Sequence, residues 1–275
     1  MRKLGIDFIS GFSLPPTALA RLAAELGCAS ISAVLEPPPF NPENYPDWSL
    51  RTDKALRKEL VATLADLGIT LALAEGMFVM PGLEVASYAQ DLDTMAEIGA
   101  ARVSAISFDP DMSRSFDQFA QAAEMAGERG LMTVTEFAPC FTVTDLPTAL
   151  AAVRHVGRAD FKITVDTMHL FRSGGTAADA AALDPDLIGY IQFCDVPTEP
   201  ALPEYMDEGM YERLAPGEGD APLAEYLRAL PQTVPISIEI PQRAKAEAGQ
   251  APAQRIAHCV AAARRVMEQA EVAAA

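Results

Sequence analysis

The segment MTVTEFAPCFTVTDLPTALAAVRHVGRADFKITVD, residues 132–166, contains the repeating unit of this chain. MTVTEF at its start and KITVD at its end are short apolar runs rich in β-branched residues, as buried parallel strands are. Between them, LPTALAAVRHVG has the spacing of an amphipathic helix and stops at Gly157, where a helix C-cap favours glycine. The segment predicts a strand–helix–strand unit with Glu136 and Asp166 at the ends of its strands.

The same alternation repeats about every 30 residues along the chain. Eight strands are predicted: LGIDFI (4–9), ASISAVL (29–35), TLALAE (70–75), RVSAISF (102–108), MTVTEF (132–137), KITVD (162–166), IGYIQF (188–193) and PISIEI (235–240). Helical patterns stop at Gly27, Gly68, Gly99, Gly130 and Gly157. The length of 275 residues matches the roughly 250 residues of one barrel. We predict an α/β fold, a single (β/α)8 TIM barrel that forms one domain over residues 1–275.

The composition excludes several classes of protein. A formal net charge of −17 opposes binding to nucleic acid, whose phosphates are usually met by clustered Lys and Arg. No apolar run approaches the roughly 20 residues of a membrane-spanning helix, and the start MRKLGIDFIS lacks the long apolar segment of a signal peptide. Four widely spaced cysteines without a CxxC pair indicate reduced thiols. We therefore expect a cytoplasmic protein that binds neither nucleic acid nor membrane.

Four oxygen-bearing side chains occupy equivalent ends of the fifth to eighth predicted strands: Glu136, Asp166, Gln192 and Glu239. In a closed parallel barrel these ends converge at one rim. Any one of them alone would be explained as a helix cap or a salt-bridge partner. Three carboxylates buried together need a compensating positive charge, and a metal would supply it. Because all four ligands offer oxygen, we predict one divalent metal ion, Mn²⁺ or Mg²⁺ in preference to Co²⁺ or Zn²⁺.

These residues and their surroundings resemble the xylose isomerase-like TIM barrels, the sugar phosphate isomerase and epimerase family. The resemblance covers essentially the whole chain, and its most specific parts are TEF at Glu136, DTMHLFRSGG from Asp166, YIQFCD at Gln192, RLAPGEG from Arg213 and ISIEIP at Glu239. It implies that the four strand-end residues bind one metal and that Glu136 and Glu239 act as the catalytic acid and base. Family epimerases commonly have His where this chain has Gln192, whereas the dehydratases more often have Gln.

The resemblance and the predicted metal together suggest a reaction. A cation that chelates a carbonyl and its neighbouring hydroxyl would stabilise an enediolate after a carboxylate removes the carbon-bound proton. We therefore predict a metal-dependent isomerase or epimerase that acts on a small ketose-like hydroxy-ketone. Two alternatives stay open: a dehydratase of the inosose or 3-dehydroshikimate type, which would expel a β-hydroxyl from the same enediolate, and a non-catalytic binding barrel.

Four further residues form the predicted substrate-binding set: Glu75, His169, Arg172 and Arg213. Glu75 ends the third predicted strand, and His169 follows Asp166 in the Asp-x-x-His pattern of the family; the alternative for His169 is a structural role. Arg213 resembles the family's anchor for substrate oxygens, unless it is a surface residue of a loop. Arg172, with the serine and glycines that follow it, would form either an anion nest or a tight turn.

Two long connections follow strands on the rim where barrel active sites are built, at residues 36–49 and 195–220. They are predicted to be lids over a pocket, the alternative being passive surface loops. The rim offers few basic side chains, which favours an unphosphorylated keto-polyol or cyclic hydroxy-ketone. Eight aromatic residues near the rim would either pack the core or contact an apolar face of that substrate. The lids and the closing helix also offer surfaces for a homo-oligomer.

Overall fold

The structure is a computed structural model and describes residues 2–272. Its eight strands are β1 (Leu4–Ile6), β2 (Ser30–Val34), β3 (Thr70–Val79), β4 (Arg102–Ser107), β5 (Met132–Glu136), β6 (Phe161–Asp166), β7 (Ile188–Phe193) and β8 (Ile236–Ile238). Each strand pairs in parallel with its neighbour in sequence, and β8 pairs with β1. The sheet is therefore a closed barrel, and the carboxyl ends of all eight strands open at one rim.

Eleven α-helices connect or cover the described strands: α1 (Pro16–Glu25), α2 (Lys54–Leu67), α3 (Ala89–Glu97), α4 (Met112–Gly127), α5 (Leu146–Val156), α6 (Thr167–Arg172), α7 (Ala177–Ala181), α8 (Tyr205–Tyr211), α9 (Leu223–Ala229), α10 (Arg243–Glu247) and α11 (Pro252–Val272). The Asp53, Asp111 and Asp145 side chains accept backbone hydrogen bonds at the starts of α2, α4 and α5. The protein is a (β/α)8 TIM barrel, as the sequence predicts.

The hydrophobic core has two parts. The larger part joins strand residues such as Ile31 and Ile163 to helix residues such as Leu60 and Phe119. The smaller part consists of strand residues, among them Leu73, Val134 and Tyr190 from β3, β5 and β7. Side chains from alternate strands form such layers inside a barrel. Side chains therefore fill the barrel interior, and a ligand would have to bind at the rim formed by the carboxyl ends of the strands.

The predicted elements agree with the structure except at the rim. All five glycines expected to end helices have positive φ, between 64° at Gly27 and 80° at Gly99. The third strand, however, runs on from Glu75 to Val79, through Gly76 with a φ of 113° and a break in the pairing with β4. Glu75 therefore lies within β3 and not at its end. The short rim helices α6, α8 and α10 were also not predicted.

No helix in residues 2–272 is both long enough and apolar enough to cross a membrane. The four cysteines are unpaired, and Cys28, Cys194 and Cys259 are buried.

Candidate active site

The four predicted ligand residues lie at the carboxyl rim of neighbouring strands. Glu136 is the last residue of β5 and Asp166 the last of β6, where it also caps α6. Gln192 of β7 pairs with Asp166 on one side and with Ser237 on the other. Glu239 follows directly after β8. Barrel closure thus brings together residues that are as many as 103 positions apart in sequence, from Glu136 to Glu239.

Arg213 lies between two of these carboxylates. Its Nη1 is 2.6 Å from Asp166 Oδ2 and 2.6 Å from Glu239 Oε2, and all three side chains are at least nine-tenths buried. Its Nε donates to the carbonyl of Gly209, which fixes the guanidinium from the α8 side. The sequence predicts that a metal supplies the positive charge that these carboxylates need. In the structure, a guanidinium from the 195–220 loop already supplies one positive charge.

The pKa values of the two carboxyls that share Arg213 move in opposite directions. Burial works to raise the pKa of Asp166, but the charges of Arg213 and His169 outweigh burial and lower it to about 2. For Glu239, burial and repulsion from Glu136 and Asp166 outweigh Arg213 and raise the pKa well above its usual range. Asp166 therefore stays ionised at neutral pH, whereas Glu239 holds a proton more tightly than a free glutamate does.

The site contains buried oxygen atoms that accept no hydrogen bond from the described residues. Gln192 donates its Nε2 to Glu239 Oε1 at 2.8 Å, which leaves Gln192 Oε1 buried without a hydrogen-bond donor among residues 2–272. Glu136 Oε1 is also buried without a hydrogen-bond donor among these residues, although His169 Nε2 lies 3.3 Å away. Ligand atoms of Glu136, Asp166 and His169 lie within 4.8 Å of one another. Such unpaired oxygens beside a carboxylate fit a divalent cation.

His169 links this cluster to the loop above it. Its backbone N–H donates to Asp166 Oδ1 at the start of α6, and its Nδ1 is 2.6 Å from the hydroxyl of Tyr205 in α8. The ring is buried and directs Nε2 at Glu136. A contact with a substrate or with a ligand of the metal stays a prediction. Tyr205 was not singled out as a site residue, because a tyrosine in an irregular loop carries no periodic pattern.

A second group of carboxyls lies beside the first, on the β1 and β3 side. Ligand atoms of Asp7, Glu75 and Glu239 lie within 4.8 Å of one another. Ser32 donates to Glu75 Oε1, and Tyr190 donates to Asp7 Oδ1, both at 2.7 Å. Glu75 was expected in the substrate-binding set and does line the cavity described below. Asp7 was missed, although an acidic residue inside the apolar run LGIDFI was a visible signal.

The structure does not bring Arg172 to this site. Its guanidinium is bound to the buried carboxylate of Glu208, at 2.8 Å, and to the carbonyl of Thr198. Both partners belong to the 195–220 loop, so Arg172 secures that loop and is not free to bind an anion. The expected substrate contact is therefore corrected: α6 is anchored by Arg172 to α8.

Asp195, which was not predicted, organises the loop that carries Arg213. Its Oδ2 accepts from the N–H groups of Gly217 and Gly219 at 2.8 and 3.0 Å, and its Oδ1 accepts from Val196 and Ala221. Its carboxylate is buried. The fold of the Pro-Gly-Glu-Gly turn therefore depends on four acceptor positions of one side chain.

Asp195→Asn is expected to destabilise the protein by about 2 kcal/mol or more, because the amide presents two donors to backbone N–H groups that need acceptors. Urea unfolding of the variant measures the loss. Asp47→Asn, on the exposed surface, is the matched control and should change stability by less than about 0.5 kcal/mol. Equal stability of the two variants would show that the turn does not depend on Asp195.

A cavity of about 470 Å³ opens at the rim. Its charged lining residues are Glu75, Glu136, Arg213 and Glu239, whereas Asp166 and Gln192 are buried and do not line it. The 195–220 loop covers it through Met206, Gly209 and Met210 of α8. Residues 36–49 contribute nothing to the lining; there Phe40 packs on Phe12 and Tyr211. Only the second predicted lid therefore lies over the cavity.

A protein-family model and several solved structures are similar to this chain over most of its length. The family model described as xylose isomerase-like TIM barrel matches residues 20–259. A comparison with curated proteins gives no match. A xylose isomerase-like TIM barrel/4-hydroxyphenylpyruvate dioxygenase fusion protein is similar to 90% of this chain, with 22% identity and a TM-score of 0.70. The match spans 42% of the length of that fusion protein.

Three further solved structures are similar along nearly their whole length. An IolI protein with a bound zinc atom has a TM-score of 0.78 and 17% identity, over 97% of this chain and 98% of that one. An L-ribulose 3-epimerase has a TM-score of 0.72 and 17% identity, over 100% and 97%. A probable 3-DHS dehydratase from Bacillus anthracis has a TM-score of 0.70 and 14% identity, over 86% and 91%. At these identities the likeness establishes the shared fold.

Proposed function

Because this chain belongs to the xylose isomerase-like TIM barrel family, we propose that it is a divalent-metal-dependent isomerase or epimerase of a small hydroxy-ketone. Family members and structural neighbours are mostly enzymes, among them an epimerase and a dehydratase. The observation that carries the proposal is the convergence of Glu136, Asp166, Gln192 and Glu239 at one rim, with two oxygens unpaired among the described residues.

We infer that two glutamates transfer the protons. Glu136 and Glu239 both line the cavity, and they come from β5 and from the segment after β8, on different sides of it. Glu239, with its raised pKa, is proposed to take the proton from the carbon next to the carbonyl. Glu136, beside His169, would return a proton to the other face. Epimerisation or isomerisation then depends on which atom receives that proton.

The oxygen atoms of Glu136, Asp166, Gln192 and Glu239 would hold the cation. When bound, a divalent cation polarises a carbonyl and lowers the barrier to removal of the adjacent proton. Arg213 must move its Nη1 from between Asp166 and Glu239 for both carboxylates to act as ligands. The side chain would then point into the cavity that it already lines, where it could bind an oxygen of the substrate.

Asp166→Ala is expected to abolish stoichiometric metal binding, because it removes a proposed ligand whose pKa is lowered to about 2 and which is therefore fully ionised. The metal content of protein dialysed against Mn²⁺ measures this, with circular dichroism as the check on folding. The control is Asp160→Ala, which removes a half-buried carboxylate paired with Arg158, away from the cavity, and should leave the metal content unchanged. Equal metal content in all three proteins would contradict the proposed site.

The reaction itself is tested by incubating the Mn²⁺-loaded protein with a panel of ketoses in D₂O. Incorporation of deuterium at the carbon next to the carbonyl, without loss of water, is the expected result. Absence of exchange from every ketose, in protein shown to contain the metal, would contradict the isomerase or epimerase.

A dehydratase is the second candidate. Gln192 favours it, since the resemblance associates Gln at this position with dehydratases, and the chain shares its fold with a probable 3-DHS dehydratase. The same proton removal would then expel a β-hydroxyl as water. The appearance of a conjugated-enone absorbance with a cyclic hydroxy-ketone, in place of simple deuterium exchange, would identify this reaction.

A further inference from the structure

We propose that the substrate is an uncharged hydroxy-ketone that carries an apolar ring, with the ring held along an aromatic wall of the cavity. This inference rests on the proposed function for the reacting end of the substrate. The other end is argued from the cavity itself.

A row of aromatic rings leads away from the proposed catalytic glutamate. His169, whose Nε2 faces Glu136, has its ring 6.1 Å from that of Phe141. Phe141 meets Phe108 edge to face at 5.1 Å, and Phe108 lies 6.0 Å from Phe78. The last three rings all line the cavity. A substituent that extends from the reacting carbon along this row would contact aromatic surface continuously.

Methionines of α8 contribute further apolar surface to the same cavity. Met206 and Met210 line it, and Met206 Sδ lies 3.3 Å from the sulfur of Cys140, next to Phe141. Methionine side chains adapt their shape and make favourable contacts with aromatic rings. The cavity therefore combines an aromatic wall with an adaptable apolar cover, as expected of a site for a flat ring.

Exposed apolar side chains concentrate at the mouth of this cavity. Phe78, Met80 and Met206 are 38%, 39% and 38% exposed, and all three line it. They account for three of the seven large hydrophobic residues that are exposed in residues 2–272. Apolar surface left in water at a cavity mouth is explained if an apolar group of the substrate covers it.

The described lining offers no cation that could bind an anionic group at the ring end of the substrate. Arg213 is the one basic residue among the described side chains that line the cavity, and its position beside Asp166 and Glu239 places it at the reacting end. Lining residues on the side of the aromatic rings, among them Met77, Met80 and Ile106, carry no charge that would bind a phosphate or a carboxylate. An uncharged molecule would match both parts of the cavity, with its polar end at the glutamates and its ring at Phe108.

Of the eight aromatic residues expected near the rim, four line this cavity: Phe8, Phe78, Phe108 and Phe141. Phe12 and Phe137 are fully buried, and Trp48 and Phe171 pack against the core. The sequence alone left core packing and substrate contact open. The structure divides the set between the two roles, and the contact with substrate is assigned to the four lining residues.

A matched set of probes tests the ring. Dihydroxyacetone and α-hydroxyacetophenone share a hydroxymethyl ketone, but the second has a phenyl group in place of the other hydroxymethyl; dihydroxyacetone phosphate adds an anion. The Mn²⁺-loaded protein should bind α-hydroxyacetophenone about tenfold or more tightly than dihydroxyacetone, in line with burial of a ring, and the phosphate most weakly. Calorimetric Kd values measure this, and deuterium exchange at the hydroxymethyl carbon is followed in parallel.

Phe78→Ala and Phe108→Leu should each reduce the preference for α-hydroxyacetophenone over dihydroxyacetone at least threefold. Val61→Ala removes an equally exposed apolar side chain from α2, away from the cavity, and should leave the preference unchanged. Equal affinity for the two neutral probes, or tighter binding of the phosphate, would overturn the inference. So would a preference that Phe78→Ala and Phe108→Leu both leave intact.

The two proposals fail in different ways. Deuterium exchange from dihydroxyacetone without a preference for the phenyl probe would sustain the proposed reaction and reject the apolar ring. A phenyl preference that depends on Phe78, without exchange from either probe or from any ketose of the panel, would sustain the ring site and reject the reaction. Failure of the metal-loaded protein to bind any probe would reject the apolar ring, and absence of exchange from every ketose would reject the reaction as well.

Discussion

Glu239→Gln is expected to lower the rate of proton exchange from a bound hydroxy-ketone by about 10³-fold or more while the barrel stays folded. Removal of a positioned general base typically costs 10²–10⁴-fold. Glu239 is also a proposed ligand of the cation, so the loss should lie toward the upper end of that range. Burial and neighbouring carboxylates already raise its pKa, so a neutral amide removes repulsion from the site. That gain offsets the acceptor lost to Gln192 or Arg213, and the barrel should stay folded.

The measurement is kcat for deuterium incorporation at saturating Mn²⁺, with the metal content determined on the same sample. Glu247→Gln, which removes an exposed carboxylate of α10 paired with Arg243, is the matched control and should retain full activity. A Glu239→Gln variant that contains metal but exchanges protons at the normal rate would exclude Glu239 as the base. A variant without metal would limit the conclusion to its role as a ligand.

The barrel could be predicted from sequence because its evidence is local. Each strand is a short apolar run, and each long helix has an amphipathic period that ends at a glycine such as Gly68 or Gly157. The rim could not be predicted to the same accuracy. Helices such as α6 and α8 span six and seven residues, which is too few for a periodic pattern. The continuation of β3 beyond Gly76 likewise depends on pairing with β4 that no local pattern reveals.

The candidate site, likewise, could be predicted only in part. The common position of Glu136, Asp166, Gln192 and Glu239 at one rim was predictable, because strand ends are recognisable and parallel strand ends share one rim. Their partners were not. That Arg213 would insert between Asp166 and Glu239 depends on the path of a 26-residue loop, residues 195–220. The contribution of Asp7 depends on closure of the barrel, which places β1 next to β8.

The fully buried carboxyl of Asp7 should make the stability of the metal-free protein depend on pH. Burial raises its pKa from the usual 3.8 to about 7, although Tyr190, Gln192, Ser237 and Ser32 offset part of the effect by hydrogen bonding. In the unfolded chain the group titrates near its usual value. The folded protein therefore holds the proton more tightly, and this contribution to stability is complete below about pH 4. It is lost as the pH rises to about 7, by about 4 kcal/mol at most.

Asp7→Asn removes this titration and retains an oxygen that can accept the hydroxyl of Tyr190. The free energy of unfolding of the natural protein should therefore fall relative to that of the variant between about pH 4 and pH 7, and the difference should level off at higher pH. Urea unfolding of both proteins in a chelating buffer, at a series of pH values, measures it. Asp184→Asn, at an exposed helix start, is the control and should not change the pH profile in this range. Parallel profiles for Asp7→Asn and the natural protein would show that Asp7 is ionised in the folded state well below neutral pH.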